Sequence, residues 1–393
     1  MRARTAGRPG PGPGGDEAST AGTRLFLALA RVVAAMAEIR GVRSFTLPYP
    51  NAAQHALDRA VTHCLDIGEA PPRSLPELLR WCRVRTSDDR LFGVPASLVT
   101  PGSTLVHPVG LFPTRTCLEA ASHGEPGGVE REAHTLLGDL ADRCGYDERF
   151  RRCRSFLARH PVVQQRDRFG PGWSTSVWTR VRGLYQPLPT SLVVDGLAVR
   201  CPVCGLPALP GRGGRTPLPG QRTADDEIWC EGESCPRDAD FELIREPEET
   251  LVLRRSLRAF LVLPYRVETA ALKALAGAGI EYGALPGSSG GYHLPAAGTG
   301  TVDLRMYDRT QPGLLAARLA ESPPLADRTF VVVPPRLAAR DGYRAAFTAA
   351  LPGPLRERLV LTAPDDLVRR IGSPTGGGIQ TDRPNQEGTT DDA

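Results

Sequence analysis

The spacing of apolar positions divides the chain into two halves with different periods. Thr23 to Ile39 is apolar at helical spacing and predicts a buried helix. "SLPELLRWC" (Ser74 to Cys82) has a Ser cap, a Pro near the first helical position and Glu in the first turn, which predicts a second helix. Gly128 to Cys144, Glu148 to Ala158 and Ser174 to Tyr185 predict three more, while Arg83 to Pro113 is broken by Pro and Gly and predicts only short strand-like pieces. "LVVDGLAVRCPVCG" then reads as a hairpin with Asp195-Gly196 at its turn. Beyond residue 251 short apolar runs alternate with helical ones. "RAFLVLPYRVETAALKALAGAG" predicts a strand, a Pro turn and a helix from about Val267 to Ala278. "IEYGAL", "GGYHLPA" and "TVDLRMY" predict three successive strands, then a helix over Gly313 to Ala320. "RTFVVVPP" and "RLVLTA" are further strands, followed by the helices "DGYRAAFTAAL" and "PDDLVRRI" respectively. Within Thr301 to Tyr307, Val302, Leu304 and Met306 share one face, and Asp303 and Arg305 share the other.

Composition changes this picture little. A chain of 393 residues with 41% hydrophobic content has room for two or three cored domains, and Gly 42 with Pro 37 implies many loops. A net charge of +4 permits nucleic-acid binding without demanding it. Lys273 is the only lysine, so any single Arg carries little weight. No stretch of 18 apolar residues lacks a charge, so no membrane span is expected. The Gly/Pro/Arg/Thr-rich residues 1–22 and the segment 372–393 read as disordered tails, with no signal-peptide core in the first, and a cytoplasmic location is expected.

The nine cysteines carry the strongest motif. Cys201-Pro-Val-Cys204-Gly is a knuckle that turns two thiolates toward one point, and Cys230 and Cys235 form a second pair. Two such pairs with strand-like flanks predict a closed, tetrahedral, structural zinc site of zinc-ribbon type. A disulfide or coincidence is the competing reading, and a reducing compartment argues against it. The other five cysteines (Cys64, Cys82, Cys117, Cys144, Cys153) have no ligand spacing and read as buried thiols.

Counted from the helix at about Val267, the predicted order is α-β-β-β-α-β-α-β-α. Three successive strands followed by a crossover form the core of the restriction-endonuclease-like, PD-(D/E)xK fold. Phosphodiester hydrolysis on that core needs Mg2+ held by two or three carboxylates and a nearby Lys. Here the third strand offers Asp303 and Arg305, the second offers His293, and the first helix offers Glu268. Lys273 lies five residues beyond Glu268, about 140° around the helix, and is not expected to join them. Arg151, Arg152 and Arg154, with Arg149 and Arg159, are candidate phosphate contacts on one helix; a solvated helix face is the competing reading.

The stretches "FRRCRSFLARHPVV", "LYQPLP", "VRCPVCG", "WCEGESCP", "LRAFLVLPYRVETAALKAL", "YHL", "VDLRMYDRTQPGLLAARL" and "FVVVPPRLAARDGYRAAF", from about Tyr146 to Ile371, resemble the restriction-endonuclease-like family associated with prokaryotic PIWI proteins in bacterial defence islands. The resemblance implies an Asp after the second-strand Tyr and Asp-x-Lys in the third strand; this sequence has His293 and Arg305 there. It implies DNA or an RNA–DNA hybrid as substrate, a PIWI-like protein and a helicase as partners, an antiviral role, and Mg2+ or Mn2+ at Asp303 and Glu268 beside the structural Zn2+. His293 is a poor Mg2+ ligand and Arg305 cannot act as a base. Two readings therefore stand: a nuclease component, or a non-catalytic nucleic-acid-binding or assembly subunit on the same fold. A zinc-ribbon transcription factor is weaker, because no basic recognition helix adjoins the ribbon. The expected organisation is a tail (1–22), a mainly helical region (23–190), the zinc ribbon (191–250), the restriction-endonuclease-like α/β domain (251–371) and a second tail (372–393).

Overall fold

The computed structural model describes residues 14–38, 48–108, 112–124, 128–170, 173–194, 196–210, 228–233, 235, 241–285, 290–294 and 301–372. Asp195 and most of both predicted tails lie outside them.

Helices dominate the first part: α1 (Gly14–Glu38), α2 (Asn51–Ile67), α3 (Leu75–Val84), α4 (Arg115–Ala121), α5 (Gly128–Cys144) and α6 (Asp147–Arg159). α1 begins at Gly14 and so reaches back into the predicted tail. Its Thr20–Ala37 stretch is long and apolar enough to cross a membrane. Half of that stretch is nevertheless buried inside the protein, with Phe26 edge-on to Phe92 at 5.3 Å. α3 starts as its sequence predicts, with the Ser74 hydroxyl accepting from the Glu77 amide at 3.4 Å. α2 and α4 have no counterpart in the hydrophobic pattern. The buried side of α2 is mostly small or weakly apolar (Ala53, Ala56, Ala60, His63, Cys64), and α4 is buried all round, so neither shows a stripe. Among its described residues, the loop from α3 to α4 holds turns and one isolated bridge, Val106 to Pro113, rather than strands.

Next come β1 (Val162–Val163), α7 (Thr175–Val181) and β2 (Tyr185–Pro187), then the ribbon strands β3 (Ala198–Arg200), β4 (Pro207–Pro210), β5 (Ile228–Cys230) and β6 (Glu242–Ile244). The ribbon strands form an antiparallel sheet in the order β5-β4-β3-β6. β7 (Leu251–Leu253) pairs with both β1 and β2, stitching the chain after the ribbon to the segment before it.

The predicted strand at "AFLVL" is helical. α8 (Arg255–Leu257), a π-helical turn over Arg258–Val262 and α9 (Leu263–Gly277) run on without a break. Leu257, Leu261, Val262 and Leu263 are buried among surrounding elements, so their run is apolar for burial rather than for sheet pairing. Pro264 lies inside this continuous helix, directly after the π-helical turn, and its missing N–H removes one backbone hydrogen bond there.

The remaining elements follow the predicted order with two short helices, α11 and α13, added: β8 (Gly283–Ala284), β9 (Gly291–Leu294), β10 (Val302–Met306), α10 (Pro312–Glu321), β11 (Arg328–Val332), α11 (Pro335–Ala338), α12 (Tyr343–Ala350), α13 (Gly353–Arg356), β12 (Leu359–Thr362) and α14 (Pro364–Gly372). They build a mixed five-stranded sheet, β12-β11-β10-β9-β8. β8, β9 and β10 form an antiparallel meander, and β10, β11 and β12 are parallel. Leu294, Leu304, Met306, Phe330 and Val332 pack on one side against Val267, Ala271 and Leu275 of α9 and Leu367 of α14. Val331, Leu359 and Leu361 pack on the other against Leu315 and Leu319 of α10 and Phe347 of α12.

Candidate functional sites

The four predicted cysteines meet. The Sγ atoms of Cys201, Cys204, Cys230 and Cys235 all lie within 4.8 Å of one another, and this group could hold a metal ion. A tetrahedral ion with metal–sulfur bonds of about 2.3 Å needs sulfurs roughly 3.8 Å apart, which suits this spread. The backbone explains the convergence. Cys201 follows β3, and Gly205, at φ +72°, turns back so that its N–H donates to the Cys201 carbonyl at 2.7 Å. Cys230 ends β5, and the Gly232 N–H donates to the Cys230 sulfur at 3.2 Å. A Cβ on Gly232 would lie 3.3 to 3.4 Å from three of the four sulfurs, so a larger residue would crowd the cluster.

The second cysteine pair is also clamped to α8 and the π-turn. Arg258, 1% exposed, donates through Nε and Nη2 to the two carboxylate oxygens of Glu231, both at 2.6 Å, and through Nη1 to the Leu253 carbonyl. Such a bidentate pair is both strong and directional. The Glu233 carboxylate accepts from the Arg115 amide at 2.8 Å, tying the same turn to α4. Nothing in the cysteine spacing announced either clamp.

The β9–β10 face brings together three of the four predicted catalytic residues. Asp303 is the cross-strand partner of His293, with Oδ1 to Nδ1 at 3.8 Å, and Arg305 lies one alternation further along the same face. Beside Asp303, β11 places Thr329, whose hydroxyl is buried without a partner.

Glu268 is not part of this group. Tyr292 pairs with Leu304 and so points to the opposite face from His293 and Asp303, and the Tyr292 hydroxyl donates to Glu268 Oε1 at 2.6 Å. Glu268 is 3% exposed and receives both ends of the Arg154 guanidinium, at 2.8 and 2.5 Å. The expectation that Glu268 and Asp303 share one metal is therefore corrected: α9 packs on the far side of the sheet. Arg154 is corrected with it, because a guanidinium spent on a buried carboxylate does not reach a phosphate. Burial opposes its charge, but the hydrogen bonds and charge of Glu268 outweigh that and hold its pKa above the usual value. Burial, and then the Glu268 charge, pushes the Tyr292 phenol upward, so it stays a donor. Lys273 is exposed, on a different side of α9 from Glu268, as its spacing predicts. Arg151 and Arg152 are exposed on α6, the latter 2.5 Å from Glu148.

The stretch after β10, Asp308 to Gln311, is a buried polar joint that hydrophobic patterning cannot reveal. Arg115 of α4 pairs with Asp308, and Glu119 accepts from the amides of Thr310 and Gln311 at 2.7 and 2.9 Å. Arg309 reaches Glu130 of α5 at 2.6 Å, and Gln311 accepts from the Thr100 amide at 2.7 Å. Burial pushes the Glu130 pKa up, but Arg309 and Arg318 outweigh it and hold the carboxyl below its ordinary value. Gly313 lies so close to the Ser97 and Leu98 backbone that any side chain there would collide. The network joins the helical region to the five-stranded sheet.

The geometry thus defines a helical region, a four-cysteine ribbon and a helix-flanked mixed sheet locked into one another. Residues 25–164 match the family model described as pPIWI_RE three-gene island domain Y. This match supports association with the prokaryotic PIWI RE system. It falls on the helical region, whereas the stretches quoted for the resemblance run from about Tyr146 onward. No curated protein and no solved structure matches the chain.

Proposed function

We propose that this chain is a subunit of a PIWI-linked defence system that binds nucleic acid without cutting it. The sheet is read as restriction-endonuclease-like, with the hydrolytic centre lost. One observation carries the reading: Glu268 is held across the sheet from Asp303 by Arg154. That leaves one carboxylate, one imidazole and one guanidinium on the β9–β10 face. Mg2+ prefers oxygen ligands in near-ideal octahedral geometry, and this set does not fit it. Arg305 stays charged and can hold a phosphate, but it cannot take a proton from water. In this reading the four cysteines hold a structural Zn2+ that fixes the ribbon between the helical region and the sheet. All four donors are thiolates, so no position stays open for substrate. A PIWI-like protein and a helicase would be the partners, in the cytoplasm.

The runner-up is a weak nuclease. The Asp303–His293 pair favours it, because Mn2+ accepts an imidazole beside a carboxylate more readily than Mg2+ does. The proposal is tested by gel shift of the full chain on single-stranded, duplex and RNA–DNA hybrid oligonucleotides. Retarded, intact nucleic acid is expected. Absence of any retarded species would refute the binding-subunit reading.

A further inference from the structure

We infer that the groove between α6 and α7 is a binding track for the backbone of a single-stranded nucleic acid. The inference rests on the binding-subunit reading and says where on the molecule that binding occurs. The groove encloses about 930 Å³. Arg149, Arg152 and Arg159 recur along one stripe of α6, with Phe156 between them, and Arg151 flanks the stripe. Arg180 of α7 supplies a fifth guanidinium from the opposite wall.

Charge decides what this groove suits. Five guanidinium groups face one carboxylate, Glu148, so the groove alone carries as much formal charge as the whole chain, +4. The formal charge of the rest of the chain therefore sums to zero. None of the five is paired with a buried carboxylate, and Arg149 donates to the Cys144 carbonyl at 3.1 Å. Arg159 and Arg180 bond only to carbonyls one turn back on their own helices, at 3.3 and 2.6 Å, and Arg152 meets the exposed Glu148. Arg154, two positions after Arg152, is the contrast: it turns inward to Glu268.

Shape and ring chemistry favour a single strand over a duplex. The basic wall follows one 13-residue helix, about 20 Å long, on one side of a single groove, which suits one backbone better than two. Tyr146, 55% exposed, stands at its end with the Arg149 guanidinium 4.3 Å from the ring centroid. An exposed ring beside arginines is the combination on which unpaired bases stack. The Ser174 and Ser176 hydroxyls on the opposite wall add neutral donors.

The test is fluorescence anisotropy of labelled 15-mer oligo-dT and oligo-rU with the full chain, between 50 and 200 mM salt. Arg159→Glu with Arg180→Glu reverses charge on both walls and is expected to weaken binding at least tenfold. Arg159→Gln with Arg180→Gln, gentler on folding, should lower the slope of log affinity against log salt by about 1.4, the value for two lost single-strand phosphate contacts. Tyr146→Leu should weaken binding several-fold with the slope unchanged. Arg340→Glu, in a separate arginine-lined hollow, should stay within twofold. Unchanged affinity in both double variants, or an equal loss in Arg340→Glu, would overturn the groove and leave the binding-subunit reading standing. Tighter binding of a duplex of equal length would overturn the single-strand assignment. Failure of the unaltered chain to bind any oligonucleotide would remove both.

Discussion

The four-cysteine centre and the β9–β10 face both gather metal-capable side chains, and they differ in what brings those side chains together. At the ribbon, two short turns and one sheet hold all four sulfurs, and every ligand points to the same place. At the β9–β10 face, two cross-strand neighbours meet, but the third expected partner depends on where a distant helix packs. α9 lies on the opposite side and spends Glu268 on Arg154 of α6. A carboxylate on a helix becomes a ligand or a structural ion according to which face of the sheet that helix covers.

The largest effect should come from the ribbon. Freshly reduced protein is expected to hold about one zinc per chain. Cys201→Ser should lose it and unfold the ribbon, because structural zinc contributes on the order of 10 kcal/mol or more, comparable to the net stability of a domain. Metal analysis with thermal denaturation reads both, and protein of full stability without metal would break this half of the contrast.

Next is Glu268→Ala, which strands Arg154 as a buried charge with no partner. A loss of about 3–5 kcal/mol is expected in denaturant titration, with Glu268→Gln milder. A Glu268→Ala protein as stable as the original would mean that Glu268 is free to serve as a ligand.

A smaller effect concerns the contact between the ribbon and the helical region. His107 packs on Trp229 at 4.7 Å, and burial holds its imidazole down at about 4. Unfolding restores an ordinary histidine near 6.5, so the unfolded chain takes up the proton first. Stability is therefore full above pH 6.5 and falls as pH drops toward 4, by at most about 3 kcal/mol, less to the extent that solvent screens this half-buried ring. His107→Phe should flatten the stability–pH curve in that window. An unchanged slope would assign the acid sensitivity elsewhere.

The smallest effect is expected for Asp303→Ala. Oligonucleotide affinity should stay within twofold, because the acid holds no metal that the nucleic acid needs. A tenfold loss would point back to the β9–β10 face as the binding site.

What could be read from the residues alone follows the same division. The ribbon was legible because its ligands are close in sequence. The alternation of Asp303 and Arg305 against Leu304 was legible because strand period is local. The helical continuity of 255–277 was not, since a run such as "AFLVL" is apolar in a buried helix and in a strand alike. Nor were the fates of Glu268 and Arg154, which are 114 positions apart and decided by tertiary packing. The joint at Asp308–Gln311 was not legible either, because nothing local to its polar residues says that α4 and α5 will bury it.

Metal-dependent cleavage tests the central claim most directly. Full chain and its Asp303→Ala variant would be incubated with labelled single-stranded, duplex and hybrid oligonucleotides, with Mg2+ and with Mn2+. The account predicts intact oligonucleotides and no difference between the two proteins with either ion. Cutting by the unaltered chain that disappears in Asp303→Ala would contradict it and make the β9–β10 face a working active site.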